Sequence, residues 1–175
     1  MKKNLAILFS GDFPEGNMHN ARLKGIGGEL LMLNWNVEFI STFPSRYSSS
    51  LSFEQKKEWN GSVVRYMSIG TRYFKNRLAR SIQIISGHIN LFVFLIIQMR
   101  RFDVFYVYSP LLTDNLWAVI ILRSFGKNVV VDQTELFSSN KSNFQRVHKF
   151  EESVISKYSN ILVVISEKLR DHYES

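Results

Sequence analysis

The chain has 175 residues, 45% hydrophobic and 14% aromatic, enough to bury one proper core, or one and a fragment, and too apolar for a disordered segment. It contains no cysteine, which excludes a disulfide framework, a thiolate metal site and a cysteine nucleophile, and fits a reducing compartment. The net charge of +7 is concentrated: no acidic residue lies between Trp59 and Phe102, where Arg65, Arg72, Lys75, Arg77, Arg80, Arg100 and Arg101 fall.

A basic excess confined to one stretch predicts a face that meets anionic lipid, a phosphate-bearing substrate or nucleic acid, against the plainer reading of a solvated arginine surface. The four histidines, His19, His88, His148 and His172, share no helix face at metal-ligand spacing, so no structural metal is expected.

The first residues, MKKNLAILFSGDF, imitate a secretion signal, two lysines before an apolar run. The run is short and no small-residue cleavage site follows, so it reads as a first strand. Gly11, Pro14 and Gly16 then mark a loop, and Asn17 is placed to cap a helix in which Leu23, Ile26, Leu30 and Leu33 recur at helical spacing. Gly25, Gly27 and Gly28 within it predict either a glycine-lined approach to a ligand or close contact between helix and sheet. No G-x-G-x-x-G set or Gly-Lys-Ser/Thr loop is present, which speaks against a dinucleotide-dependent enzyme. A helix N-terminus opening on the strand ends is still an anion site in waiting.

Asn36 to Phe43 is the expected second strand, with a polar loop after it. Asn60-Gly61 signals a turn before a third strand over Val63 to Ile69. Next comes GTRYFKNRLARS, where Arg72, Lys75, Arg77 and Arg80 surround Tyr73 and Phe74, a mixture suited to nucleic acid or a membrane interface. From Leu78 the apolar residues Ile82, Ile85, Ile89, Phe92, Ile96 and Met99 keep steps of four and three. Gln83, Ser86, Gly87, His88, Asn90 and Gln98 make the segment too polar to span a bilayer, so a helix packing that stripe into a core is expected.

Phe102 to Phe137 is the organising stretch: two runs of β-branched and aromatic residues, DVFYVYSP and KNVVVDQTE, on either side of an apolar helix. Pro110 forbids a longer first strand and Gly126 stops the helix. A crossover of this length joins parallel strands, which lie inside a sheet covered on both faces. Ligands of such sheets sit outside the carboxyl ends of the strands, so Tyr108, Ser109, Asp132, Gln133, Thr134 and Glu135 mark a site. A helix with Phe144, Val147, Val154, Ile155 and Tyr158, a sixth strand over Asn160 to Ile165 and a short helix capped by Ser166 complete the chain. The expectation is a doubly wound α/β, Rossmann-like parallel sheet of about six strands in the order 3-2-1-4-5-6, with helices on both faces.

Several of these residues carry a family likeness. The first strand, the glycine loop, Ala21-Arg22 opening a helix and Leu33-Asn34-Trp35-Asn36-Val37-Glu38 before the second strand resemble the N-terminal domain of a GT-B glycosyltransferase, family 4 in particular. Phe102-Asp103-Val104-Phe105-Tyr106-Val107 resembles that family's fourth strand, Val131-Asp132-Gln133-Thr134-Glu135-Leu136-Phe137 its D-x-x-D-L-W signature, and Glu151-Glu152 to Ser166 the run closing the domain. Trp35-Asn36 stands where relatives tend to have Gly-His, and Glu135 where many have a catalytic histidine.

The resemblance implies a single N-terminal domain over 1–175, with the nucleotide-sugar-binding C-terminal domain of such enzymes absent from these residues. It implies transfer of a sugar from a nucleotide-sugar donor to an acceptor hydroxyl in cell-surface polysaccharide or glycolipid synthesis, with no metal and no cofactor. It gives Glu135 or Asp132 the role of general base. Gly11, Gly16, Asn20, Arg22, Tyr108, Ser109 and Thr134 become substrate contacts. Arg72, Lys75, Arg77 and Arg80 would seat a cytoplasmic enzyme on the anionic inner face of a membrane, near a lipid-linked acceptor. The alternative from another class is a non-catalytic α/β binding module that uses the same basic face for nucleic acid or a partner.

Overall fold

A computed structural model of the chain describes residues 2–11, 13–14, 18–43, 53–70, 72–111, 114–134 and 145–174. It divides into two compact units, Met1–Asp103 and Val104–Ser175.

In the first unit, β1 (Asn4–Phe9) pairs in parallel with β2 (Asn36–Ser41) through the crossover helix α1 (Met18–Met32). On the other side of β2 lies β4 (Ser62–Tyr66), also parallel, so this unit has the 3-2-1 order the sequence predicts. The structure adds β3 (Lys56–Trp59), antiparallel to β4 at the edge. Asn60 and Gly61 close that hairpin with φ of 49° and 77°, the double left-handed turn that matches the twist of paired strands. The strand expected over Val63 to Ile69 therefore begins one residue earlier and ends at Tyr66.

The core of this unit is aromatic. Phe13, from the loop after β1, stacks on Phe39 at 4.3 Å between ring centres and meets Trp59 edge-on at 5.1 Å. The Tyr66 hydroxyl donates to the Phe13 carbonyl, which holds the loop down. Leu23 of α1 is buried, and a Cβ at Gly27 would stand 2.4 Å from Phe39 Cζ, so Gly27 serves contact between helix and sheet. Leu33, expected on the packed face, lies beyond the helix end and is exposed.

The helix α2 (Arg77–Gln98) is capped by Asn76, whose Oδ1 accepts from Leu78 N at 2.8 Å and Ala79 N at 3.3 Å. It runs into a single 3-10 turn over Met99–Arg101. Its packing overturns the expected face: Gln83, Gly87, Leu91 and Leu95 are buried, while Leu78, Ile82, Ile85, Ile89, Phe92 and Ile96 point to solvent.

In the second unit, β5 (Val104–Tyr108), β6 (Asn128–Gln133) and β7 (Ile161–Val164) are parallel in sequence order, the expected 4-5-6. The crossover helix α3 (Leu116–Ser124) buries Leu116, Ala118, Val119 and Leu122. Gly126 ends it at φ 73°, with its N–H on the Arg123 carbonyl and the next N–H on Leu122. Next come α4 (Gln145–Tyr158), which buries Val154 and Ile155, and α5 (Glu167–Glu174), whose Leu169 N–H donates to Ser166 Oγ at 3.3 Å. The fold class is α/β and Rossmann-like: among the described residues each unit pairs its strands in parallel, save for the β3 hairpin of the first.

Candidate functional site

The carboxyl ends of β5 and β6 bring four of the expected residues together. Tyr108, the last residue of β5, stands opposite Asp132 of β6. Ser109 follows with φ 45°, and its N–H donates to the Asp132 carbonyl at 2.7 Å. A serine in the left-handed region is uncommon, and one before a proline is ordinarily extended, so this backbone is held where it is by its surroundings. Ser109 Oγ and Thr134 Oγ1 lie 3.5 Å apart, two hydroxyls at the rim with partly open surface.

Beneath them Asp132 is 0% exposed, and its Oδ2 accepts from the Tyr106 hydroxyl. Burying a carboxylate without partners is costly, so the Tyr106 bond is part of what keeps the β6 end in register. Tyr106 is a site residue the sequence reading missed. Its signal was available, a tyrosine two residues before Tyr108 in the strand paired with the Asp132 strand. Glu135 directly follows Thr134 but lies outside the described residues.

In the first unit, the carboxyl ends of β1 and β2 are tied at Gly11. Its N–H donates to the Phe43 carbonyl at 3.0 Å, and its own carbonyl accepts from Ser41 Oγ. Gly11 has φ 122° with no atom within 4 Å of where a Cβ would be, so the glycine answers a backbone conformation and leaves open space in front of it. Gly16 lies outside the described residues. Asn20 is buried near the start of α1, and Arg22 is half-buried two residues on.

The seven cations do not make one face. Arg72, Lys75 and Arg77 are exposed where the chain enters α2. Arg80 is half-buried, its Nε and Nη2 each donating to the Phe74 carbonyl at 3.2 Å with the guanidinium over the Tyr73 ring. Arg100 and Arg101 follow the far end of α2, and Arg65 and Arg101 both pair with Glu38, Arg101 at 3.4 Å. The block is split because a helix of 22 residues separates its two parts by about 33 Å.

Glu38 also lines a groove of about 600 Å³ with Asn34, Trp35, Ser62 and Arg101. That groove is at the amino ends of β1, β2 and β4, the opposite edge from Gly11, and parallel α/β sheets bind their ligands at the carboxyl edge. Elsewhere, Glu151 Oε2 meets His148 Nδ1 at 2.8 Å and Glu152 Oε2 meets His172 Nε2 at 3.2 Å. Burial, and then the Glu152 carboxylate, push the Tyr173 phenol well above its ordinary range. Among the described residues no three His, Asp or Glu side chains gather as metal ligands would.

With this geometry in place, the solved structures offer a counterpart. The chain is similar to a sucrose-phosphate synthase from Thermosynechococcus elongatus, with a TM-score of 0.60, 8% identity, and coverage of 97% of this chain and 80% of that one. What the two share is the α/β, Rossmann-like fold. At so low an identity the likeness to a GT-B enzyme is one of fold, and it singles out neither family 4 nor the N-terminal half. No family model matches the chain, and no curated protein matches it by sequence.

Proposed function

We propose that the chain is the acceptor-side, N-terminal half of a metal-independent GT-B glycosyltransferase of the family 4 type. It would move a sugar from a nucleotide-sugar donor to an acceptor hydroxyl, in cell-surface polysaccharide or glycolipid synthesis. The observation that carries this reading is the rim of β5 and β6, where strained Ser109 and Thr134 present hydroxyls above a locked Asp132. It has this arrangement on a fold similar to that of a sucrose-phosphate synthase.

In this reading Ser109, Thr134 and Tyr108 orient the acceptor. Asp132, sealed under Tyr106, is a positioning residue that fixes the β6 end. The general base is then Glu135, the next carboxylate along the chain. Gly11, Gly16, Asn20 and Arg22 meet the donor's phosphates, and the nucleotide sugar is held by a second α/β domain that is not among these residues. The enzyme works in the cytoplasm with Arg72, Lys75 and Arg77 toward an anionic membrane, while Arg80, turned onto the Phe74 carbonyl, holds the chain that carries them.

The test is sugar transfer by the chain joined to the coding sequence that follows it, assayed with a panel of nucleotide sugars and a lipid-linked acceptor. Glu135→Gln should lower kcat about 10²- to 10⁴-fold with little change in KM. Unchanged turnover in that variant removes the base assignment. Transfer by residues 1–175 alone removes the two-domain account.

A further inference from the structure

The solvent-facing side of α2 is the largest feature that the transferase reading does not use. Leu78 is 72% exposed, Ile85 and Ile89 each 56% and Ile97 64%, and Ile82, Phe92, Val93 and Ile96 continue the same face. From Leu78 to Ile97 the stripe runs about 29 Å along the helix. Soluble helices turn such a stripe inward, so its exposure calls for an occupant.

The helix is fixed in this orientation by its other side. Gln83 Nε2 donates to the carbonyls of Ile69 and Arg72 at 2.5 and 2.9 Å, and its Oε1 accepts from Phe74 N at 3.2 Å. Asn90 Nδ2 donates to the Met67 carbonyl at 2.7 Å, and Ser86 Oγ accepts from Ile69 N at 3.3 Å. Gly87 lies so close that a Cβ there would stand 2.5 Å from the Thr42 carbonyl oxygen. Rolling the apolar face inward would break every one of these bonds and press an isoleucine where only glycine fits.

We infer that this face lies in the plane of an anionic lipid surface, its apolar side chains at the boundary of headgroups and acyl chains and the cations at its two ends among the headgroups. The inference rests on the anionic-membrane part of the function proposed above and names the element that enters the bilayer. Charge selects the occupant. Arg72, Lys75 and Arg77 stand at one end and Arg100 at the other, beside Arg101, which is half-exposed and 3.4 Å from Glu38, and no acidic residue lies in the sequence between Trp59 and Phe102. A second copy paired along this helix, parallel or antiparallel, brings cation onto cation at both ends, whereas anionic headgroups answer both clusters at once. By length and composition the helix is apolar enough to cross a bilayer, but one side of it is bonded to its own unit, so it lies along the surface.

Because the chain has no cysteine, Ile85→Cys gives a single attachment point for an environment-sensitive fluorophore, and Lys24→Cys, on an exposed part of α1, gives the control. Vesicles of phosphatidylcholine with about a third phosphatidylglycerol should shift the Ile85→Cys label to the blue and leave the Lys24→Cys label unmoved. Flotation of the unlabelled chain should show binding to these vesicles at least about tenfold stronger than to phosphatidylcholine alone, weakened by 0.5 M NaCl. The triple variant Ile82→Ser, Ile85→Ser, Ile89→Ser should lose most of that binding, with its circular dichroism unchanged. Binding that survives the triple variant overturns the inference, and so does equal binding to neutral vesicles. A label already in an apolar environment before lipid is added, with a sedimenting dimer, overturns it in favour of a second copy. None of these measurements uses donor or acceptor, so a failed transferase reading and a failed membrane reading give separate signatures.

Discussion

Two glycine substitutions should move stability in opposite directions. Gly25 is exposed on α1 with no atom within 4 Å of a built Cβ, so Gly25→Ala adds only helix propensity and should stabilise by about 1 kcal/mol. Gly87→Ala gains the same propensity but sets its methyl 2.5 Å from the Thr42 carbonyl oxygen and 3.2 Å from the Phe43 ring. Relief needs α2 to withdraw by about 0.9 Å to reach ordinary contact. Withdrawal by that much stretches four bonds beyond hydrogen-bonding range: Asn90 to Met67, now 2.7 Å, Gln83 to Arg72, now 2.9 Å, Phe74 to Gln83, now 3.2 Å, and Ile69 to Ser86, now 3.3 Å. Losing four such bonds costs about 4 kcal/mol, and residual overpacking a further 1 to 2, against the propensity gain of about 1. The expected net loss is about 4 to 5 kcal/mol, read as a lower urea midpoint in circular dichroism with an unchanged m-value. If Gly87→Ala is as stable as the wild type, the helix is free to shift, and its outward apolar face is not a fixed property of the fold.

Tyr106→Phe strips the hydroxyl from fully buried Asp132 and should cost about 1 to 3 kcal/mol in the same urea titration; a change under about 0.3 would leave the rim held by other contacts. The folded-state pKa of Tyr173 is raised, by burial and then by Glu152, above its ordinary 10.0. The unfolded chain therefore releases this proton first, and folding stability is full below pH 10 and falls as pH rises past it. Thermal melts between pH 9 and 11 should show a smaller alkaline loss in Tyr173→Phe than in the wild type, and parallel losses would contradict the assignment. A filter-binding assay with single-stranded RNA addresses the rival reading of the basic segment. With Arg80 turned onto the Phe74 carbonyl and the cations divided between the two ends of α2, retention should be weak, and tight salt-sensitive retention would favour the nucleic-acid module.

Local chemistry alone specifies much of this molecule. Strands of β-branched residues alternate with helices long enough for crossovers only, so parallel pairing in the orders 3-2-1 and 4-5-6 follows from the chain itself. Asn60-Gly61 and Gly126 are legible because their left-handed backbones suit few other residues. The place of Tyr108, Ser109, Asp132 and Thr134 at the strand ends is legible for the same reason, since Pro110 and the polar run after Gln133 end their strands. β3 was not, because Lys56-Lys57-Glu58-Trp59 is an edge strand that charge protects and that shows little apolar alternation. The loop residue Phe13 gave no sign that it would fill the core between Phe39 and Trp59.

The orientation of α2 marks the limit most sharply. Periodicity states that a helix has two unlike faces, but not which of them the rest of the chain will accept. Here carbonyls at Met67, Ile69 and Arg72 accept from Asn90 and Gln83, and the Thr42 backbone admits only a glycine, so the polar and small side turns inward. Those acceptors lie 11 to 23 residues before their donors, and only the folded backbone brings them into range.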